Sequence, residues 1–308
     1  MKRDLLSILD LSKEELESLL DSAASLKASR AGGEPAPYLP GRTLGMIFEK
    51  ASTRTRISFE VGMYELGGTA LFLSSQDLQL GRGEEIRDTA RVLSRYVSAI
   101  MIRAYRHDTI EEMARYATIP VINALSDREH PCQLLADILT LREHFGATED
   151  LTVAWVGDGN NVCNSLILSS ALAGYAVRVA APEGYLPPAD LVEEAAARGG
   201  RVSIAATPRD AVRDADVIYT DTWTSMGSED EQNERVSAFA GYTVDRDLVD
   251  EAADDAVVLH CLPAHRGEEI TDDVMEGEKS LIWDQAENRL HAQKALLVRL
   301  IGKQETLD

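Results

Sequence analysis

Apolar runs of strand length alternate with helical patterns through both halves of the chain, and that alternation constrains the fold more than any other feature. Residues 43–48, 70–73, 99–103 and 120–123 read as strands. The helix after the first strand carries apolar positions at Ile57, Val61 and Tyr64, with Phe59, Met63 and Leu66 beside them. Helices are expected over 85–97, 109–116 and 131–145. A capping box, Ser12-Lys13-Glu14-Glu15, starts an earlier helix that stops at Gly32-Gly33. The polar stretch 146–150 separates a second series, with strands at 152–156, 176–180, 202–205, 216–219 and 256–260. Its helices are expected near 162–173, 188–198 and 247–252, and a last helix over 285–301. Strand–helix alternation predicts parallel sheets joined by right-handed crossovers. The chain has 308 residues, more than one core usually supports. The expected fold is therefore α/β, with two doubly wound domains, each a parallel sheet flanked by helices.

Open parallel sheets bind ligands beyond the carboxyl ends of their strands, so the residues after each strand are the candidates for function. After the first strand come Ser52, Thr53, Arg54, Thr55 and Arg56 at a helix start. Unpaired backbone N–H groups, the positive dipole end, three hydroxyls and two guanidinium groups make a place for an anion, phosphate above all. An ordinary Ser52 N-cap would need one hydroxyl and no arginine. Arg103 closes the third strand. His130 precedes Pro131, which suits a first helical turn, with Cys132 and Gln133 following. These loops share one expected rim.

The second half presents a different chemistry. The strand at 152–156 opens into Gly157-Asp158-Gly159-Asn160-Asn161. Its two glycines resemble the start of a dinucleotide fingerprint, but Cys163 stands where a third small residue belongs, and the next strand ends without a ribose-binding acid. Asn161 offers an amide at a helix start. Asp221, Thr222, Ser225 and Met226 follow another strand, and His260-Cys261-Leu262-Pro263 follows the last. An acid, a hydroxyl, an amide and a thiol suit a small zwitterion bearing an amine. His260, Cys261 and His265 lack a fourth ligand at zinc spacing, so a structural metal is not expected. A nucleophilic role for Cys261 would need a base positioned by a third group.

Composition narrows the partners. The net charge of −21 comes from 52 acids against 31 bases, of which seven are lysine and 24 arginine. That balance argues against nucleic acid or an anionic membrane as partner, and it matches a protein of a high-salt cytoplasm. No apolar run approaches the ~20 residues of a membrane helix. The N-terminus lacks the marks of a signal peptide, and three unpaired cysteines fit a reducing compartment, so a cytoplasmic location is expected.

Phe48-Glu49-Lys50-Ala51-Ser52-Thr53-Arg54-Thr55-Arg56, His130-Pro131-Cys132-Gln133, Asp221-Thr222-Trp223-Thr224-Ser225-Met226-Gly227 and His260-Cys261-Leu262-Pro263 together resemble the aspartate/ornithine carbamoyltransferase family. The first two segments resemble the whole family; the last two resemble its ornithine branch. Cys132 stands where the family commonly has threonine. The resemblance implies domains at 1–146 for carbamoyl phosphate and 147–284 for ornithine. It also implies that 285–308 form a helix packing back on the first domain. It assigns Ser52, Thr53, Arg54, Thr55, Gln79, Arg103, His130, Pro131, Cys132 and Gln133 to carbamoyl phosphate, with Cys261, Leu262 and Arg289 closing over it. Asn161, Asp221, Ser225 and Met226 would contact ornithine. It implies Arg54, Arg103, His130, Asp221 and Cys261 as catalytic, a homotrimer whose two domains close on the substrates, no cofactor or metal, and a place in arginine biosynthesis.

The expected reaction moves the carbamoyl group to the δ-amine of ornithine, giving citrulline and phosphate. Other readings stay open on the residues alone: another amine acceptor such as putrescine or N-acetylornithine, a nicotinamide-dependent dehydrogenase built on Gly157-Asp158-Gly159, or a non-catalytic binding protein. An aspartate acceptor would call for more basic residues, and the loop 74–80 supplies no lysine.

Overall fold

The computed structural model describes residues 2–34, 37–74, 83–224 and 232–302, without the side chain of Gln232. The predicted Gln79, Ser225 and Met226 lie outside the described residues. Two compact units form, residues 1–139 with 287–308, and residues 140–286.

In the first unit α1 (Lys13–Ala31) precedes β1 (Thr43–Phe48), α2 (Thr53–Glu65), β2 (Thr69–Ser74), α3 (Ile86–Leu93), β3 (Ala99–Arg103), α4 (His107–Tyr116), β4 (Val121–Leu125) and the start of α5 (Pro131–Phe145). The strands pair in parallel in the order β2-β1-β3-β4. β3 and β4 are buried along their whole length, and apart from Arg103 and Asn123 they are apolar. Of the predicted apolar positions of α2, Phe59, Met63 and Leu66 are buried, together with Thr55 and Gly62, whereas Ile57 is 53% and Tyr64 82% exposed. Gly62 explains the rotation: a Cβ there would stand 3.2 Å from Lys294 and 3.6 Å from Leu290. Both belong to α12 (Ile282–Ile301), the C-terminal helix, which packs on this unit's helices. Lys294 pairs with Glu65 of α2 at 2.7 Å and Arg299 with Glu15 of α1 at 2.6 Å.

The second unit contains β5 (Thr152–Val156), α6 (Asn161–Ala173), β6 (Ala176–Ala180), α7 (Ala189–Ala197), β7 (Arg201–Ile204), α8 (Pro208–Val212), β8 (Val217–Thr220), α9 (Gln232–Ala238), α10 (Arg246–Val249), β9 (Val257–His260) and α11 (Asp272–Met275). Its parallel sheet has the order β7-β6-β5-β8-β9. The short helices α8, α9 and α11 carry too few turns for a periodic signal and were not expected from the sequence. Among the described residues no helix is long and apolar enough to cross a membrane.

In each sheet the connections leave in opposite directions at one place, between β1 and β3 in the first and between β5 and β8 in the second. These switch points are where an open α/β sheet offers a crevice to a ligand.

The N-terminal segment is tied to the first unit beside the candidate site. Leu5 bridges Ile122, and the Ile8 N–H donates to Glu129 Oε2 at 3.2 Å. Burial lifts the Glu129 carboxyl from 4.5 to about 7. Between those values the folded chain keeps a proton that the unfolded chain has lost, so this contribution is full below pH 4.5 and is lost as pH rises through about 7. Glu129→Gln, neutral at every pH, is expected to match the parent's melting temperature near pH 4 and exceed it near pH 8.5. A difference that stays constant across thermal melts at the two pH values would refute the assignment.

Candidate functional site

The first unit gathers its predicted residues at the β1/β3 switch point. Ser52 is the N-cap of α2, its hydroxyl accepting the Thr55 N–H at 3.3 Å. Thr53 and Arg54 occupy the first helical turn, and Arg103 ends β3 with its side chain buried. Thr55 is buried, and its Oγ1 accepts from Arg289 Nη2 at 3.1 Å. The other Arg289 terminal nitrogen, Nη1, donates to Gln133 Oε1, and Gln133 Nε2 donates to Asp137 at 2.8 Å. Arg289, Gln133 and Thr55 therefore form one chain of hydrogen bonds linking α12, α5 and α2.

His130 sits among these cations. Its pKa is held well below the ordinary imidazole value, first by burial and then by the charges of Arg289, Arg103 and Arg54. The ring is neutral at physiological pH, able to donate one N–H while the guanidinium groups keep their charge. Pro131 begins α5, as its fixed φ favours. Cys132, at the unusual position, is fully buried; its Sγ donates to the Asn123 carbonyl at 3.4 Å, and burial pushes the thiol up to about 12. It is a packing group, not a nucleophile.

The second unit does the same at the β5/β8 switch point. Asp221 follows β8 and is buried, with Oδ2 accepting from Asn160 Nδ2 at 2.7 Å and Oδ1 accepting from the Thr222 N–H at 2.8 Å. Asn160 is also the N-cap of α6, its Oδ1 accepting the N–H groups of Val162 at 2.9 Å and Cys163 at 3.1 Å. The predicted Asn161 is the first helical residue. Asn160 thus stands in the candidate site beside Asp221, a placement that sequence reasoning missed. The preference for asparagine at an N-cap is the signal that marks it.

Beyond β9, Cys261 is half-buried, and its Sγ, one His260 ring nitrogen and an Asp221 oxygen lie within 4.8 Å of one another. His260 Nδ1 accepts the Leu262 N–H at 2.8 Å, so its proton belongs on Nε2, facing Glu269 Oε1 at 3.1 Å. Leu262 takes φ +59 before a cis peptide bond to Pro263. Gln285 secures two strand ends: its Oε1 accepts the His260 N–H at 2.9 Å, and its Nε2 donates to the Tyr219 hydroxyl at 3.0 Å.

Known proteins resemble both units. A family described as "Aspartate/ornithine carbamoyltransferase, carbamoyl-P binding domain" matches residues 3–143, and its "Asp/Orn binding domain" matches residues 149–300. An ornithine carbamoyltransferase of Methanoculleus marisnigri is 64% identical over 302 residues, 98% of each chain. One of Methanocorpusculum labreanum is 60% identical over 301 residues, 98% of this chain and 99% of that one. The solved structure of ornithine carbamoyltransferase from Pyrococcus furiosus superposes with a TM-score of 0.94 at 53% identity and 97% coverage of both chains.

The glycines that resemble a dinucleotide fingerprint have a local explanation. Gly157 takes φ +145, a backbone setting that favours glycine. Gly159 approaches the chain's own backbone: its N–H donates to the Tyr185 carbonyl at 2.8 Å. A Cβ on Gly159 would fall 2.3 Å from Pro187 N and 2.6 Å from Leu186 C. Because backbone atoms must shift, Gly159→Ala is expected to cost about 1–3 kcal/mol. That corresponds to a melting temperature lower by roughly 2–12 °C for a unit of this size. An unchanged midpoint in differential scanning calorimetry would contradict this packing.

Proposed function

Because the chain belongs to the aspartate/ornithine carbamoyltransferase family, we propose that it transfers the carbamoyl group of carbamoyl phosphate to the δ-amine of L-ornithine, giving L-citrulline and phosphate. The observation that carries this reading is the neutral His130 set among Arg54, Arg103 and Arg289 at a helix start. An acyl phosphate needs both features: charge for its phosphate and neutral or cationic donors for its carbonyl oxygen.

In this reading the α2 N-terminus with Ser52, Thr53, Arg54 and Thr55 receives the phosphate. Gln79, Arg103, His130, Pro131, Cys132, Gln133 and Arg289 complete that site, and Cys261 and Leu262 act with it during turnover. Residues 1–146 serve carbamoyl phosphate, 147–284 serve ornithine through Asn161, Asp221, Ser225 and Met226, and 285–308 return to the first domain. Attack by the amine builds charge on the carbonyl oxygen, met by Arg103, His130 and Thr55, and on the departing phosphate, met by Arg54 and the helix dipole. The δ-amine must first lose a proton. With an alkylamine pKa near 10.4 this costs roughly 4–5 kcal/mol at neutral pH. Asp221 and Cys261 orient the amine and help relieve it of that first proton, which leaves to solvent; the proton the nitrogen still carries after attack passes to the departing phosphate, leaving neutral citrulline.

The enzyme is read as cytoplasmic and homotrimeric. Support for self-association comes from the first unit, where Ile57 and Tyr64 on α2 and Leu71 and Phe72 on the edge strand β2 are exposed. Exposed apolar side chains beside an unpaired strand edge mark a surface that another chain covers. The acid excess supports adaptation to high salt. Light scattering is expected to give particles of three chains or a multiple of three, with a thermal midpoint that rises in molar KCl. A monomer at low and high KCl, or a midpoint insensitive to KCl, would remove the respective reading.

Purified protein, carbamoyl phosphate and each of ornithine, putrescine and N-acetylornithine are to be mixed, and the ureido product measured at low and high KCl. Ornithine is expected to dominate, and Arg54→Ala to lower kcat/KM by more than about tenfold, or ~1.4 kcal/mol. No product with ornithine under either condition would sink the proposal.

A further inference from the structure

The sequence groups His260, Cys261 and His265 as possible metal ligands, and the structure separates them. His260 and Cys261 face Asp221, whereas His265 faces Glu268 and Glu269. We propose that His265, Glu268 and Glu269 bind a divalent first-row transition-metal ion. His265 Nδ1 stands 3.9 Å from Glu268 Oε2 and 3.9 Å from Glu269 Oε2, and the three ligand atoms lie within 4.8 Å of one another. Two ligand atoms each about 2.0–2.2 Å from a shared ion are at most roughly 4.4 Å apart. Both histidine–carboxylate separations already meet that limit, and Glu268, partly exposed, has room to adjust.

Glu269 supplies the second, independent observation. Its side chain is 0% exposed. One oxygen, Oε1, is fully used, accepting the His265 N–H at 2.6 Å and facing His260 Nε2 at 3.1 Å. The other, Oε2, is buried with no hydrogen-bond partner among the described residues, and it is the oxygen beside His265 Nδ1. A buried carboxylate oxygen without a donor is costly, and a cation at that point satisfies it. Arg266 does not serve: its guanidinium is paired with Asp272 and, at 2.6 Å, with Glu276.

The donor set decides the ion class. Magnesium and calcium favour all-oxygen shells, whereas an imidazole with two carboxylates suits manganese, iron, cobalt or zinc. His265 Nδ1 also meets the Thr222 hydroxyl at 3.0 Å, and that hydroxyl has the Thr224 carbonyl at 3.3 Å as an alternative acceptor. An ion on Nδ1 therefore displaces one hydrogen bond without orphaning Thr222. Water completes the coordination on the exposed side of His265.

The test is equilibrium dialysis of the full chain against Co²⁺ with absorption spectroscopy, repeated on Glu268→Gln, His265→Asn and Cys261→Ser. The site predicts one Co²⁺ per chain, with a visible ligand-field band and no thiolate-to-cobalt band. It also predicts affinity lower by more than about tenfold in both Glu268→Gln and His265→Asn, and unchanged affinity in Cys261→Ser. Equal affinity in the parent, Glu268→Gln and His265→Asn would overturn it, as would a thiolate band abolished by Cys261→Ser, or binding that never saturates. None of the three replaced side chains is fully buried, and circular dichroism without Co²⁺ verifies folding. A Co²⁺-dependent rise in the parent's melting temperature provides a readout that needs no variant, and its absence counts against the site.

Discussion

Parallel pairing is the constraint on which the rest of this molecule depends. Each crossover returns the chain to the same edge of its sheet, so every strand ends along one rim and every following helix starts there. Helix starts carry unpaired N–H groups, which makes the rim receptive to anions and to polar side chains. The orders β2-β1-β3-β4 and β7-β6-β5-β8-β9 each contain one switch point. Ser52–Thr55 and Arg103 flank the first, and Asn160 and Asp221 join across the second through a 2.7 Å bond. Residues about 50 to 60 positions apart in sequence become neighbours because the sheet order makes their strands adjacent.

Desolvation then sets the charges. It removes charge from two consecutive residues by the same cause with opposite sign: the His130 ring loses its proton and the Glu129 carboxyl tends to keep one. The arginines around His130 drive the ring further toward neutrality. Guanidinium groups do not deprotonate in proteins, so burial leaves them as the fixed positive charges of the site. A lysine placed there would be free to discharge under the same pressure.

The fold was legible where apolar runs of strand length stand between polar stretches. β5 and β6 occupy the predicted spans, and α5 coincides with its predicted range because Pro131 marks its start. The orientation of α2 was not legible. Ile57 and Tyr64 have the right spacing for a buried stripe, but the face that packs is chosen by Gly62 against α12, which lies more than two hundred residues away. Of the unexpected short helices, α8 carried a cap signal, Thr207 before Pro208, an observed N-cap. At the candidate site, residue types were readable and partnerships were not. Consecutive asparagines at 160 and 161 offer the same amide, and the N-cap position and the tertiary bond to Asp221 mark Asn160. Glu269 carries no sequence mark of its pairing with His260, because a loop returning on itself brings them together.

The acidity of the chain and its attraction for a phosphate are reconciled by distance. The net charge of −21 is spread over a surface, and at physiological ionic strength exposed charges are screened within about 8 Å. Arg103 and Arg289 are buried, at 8% and 4% exposure, where screening by salt is weak. Added salt therefore weakens the repulsion felt by an approaching anion more than it weakens the contacts the anion makes on arrival. In the proposed reading, an acidic, arginine-rich protein of this design meets its ligand with the charges that salt reaches least.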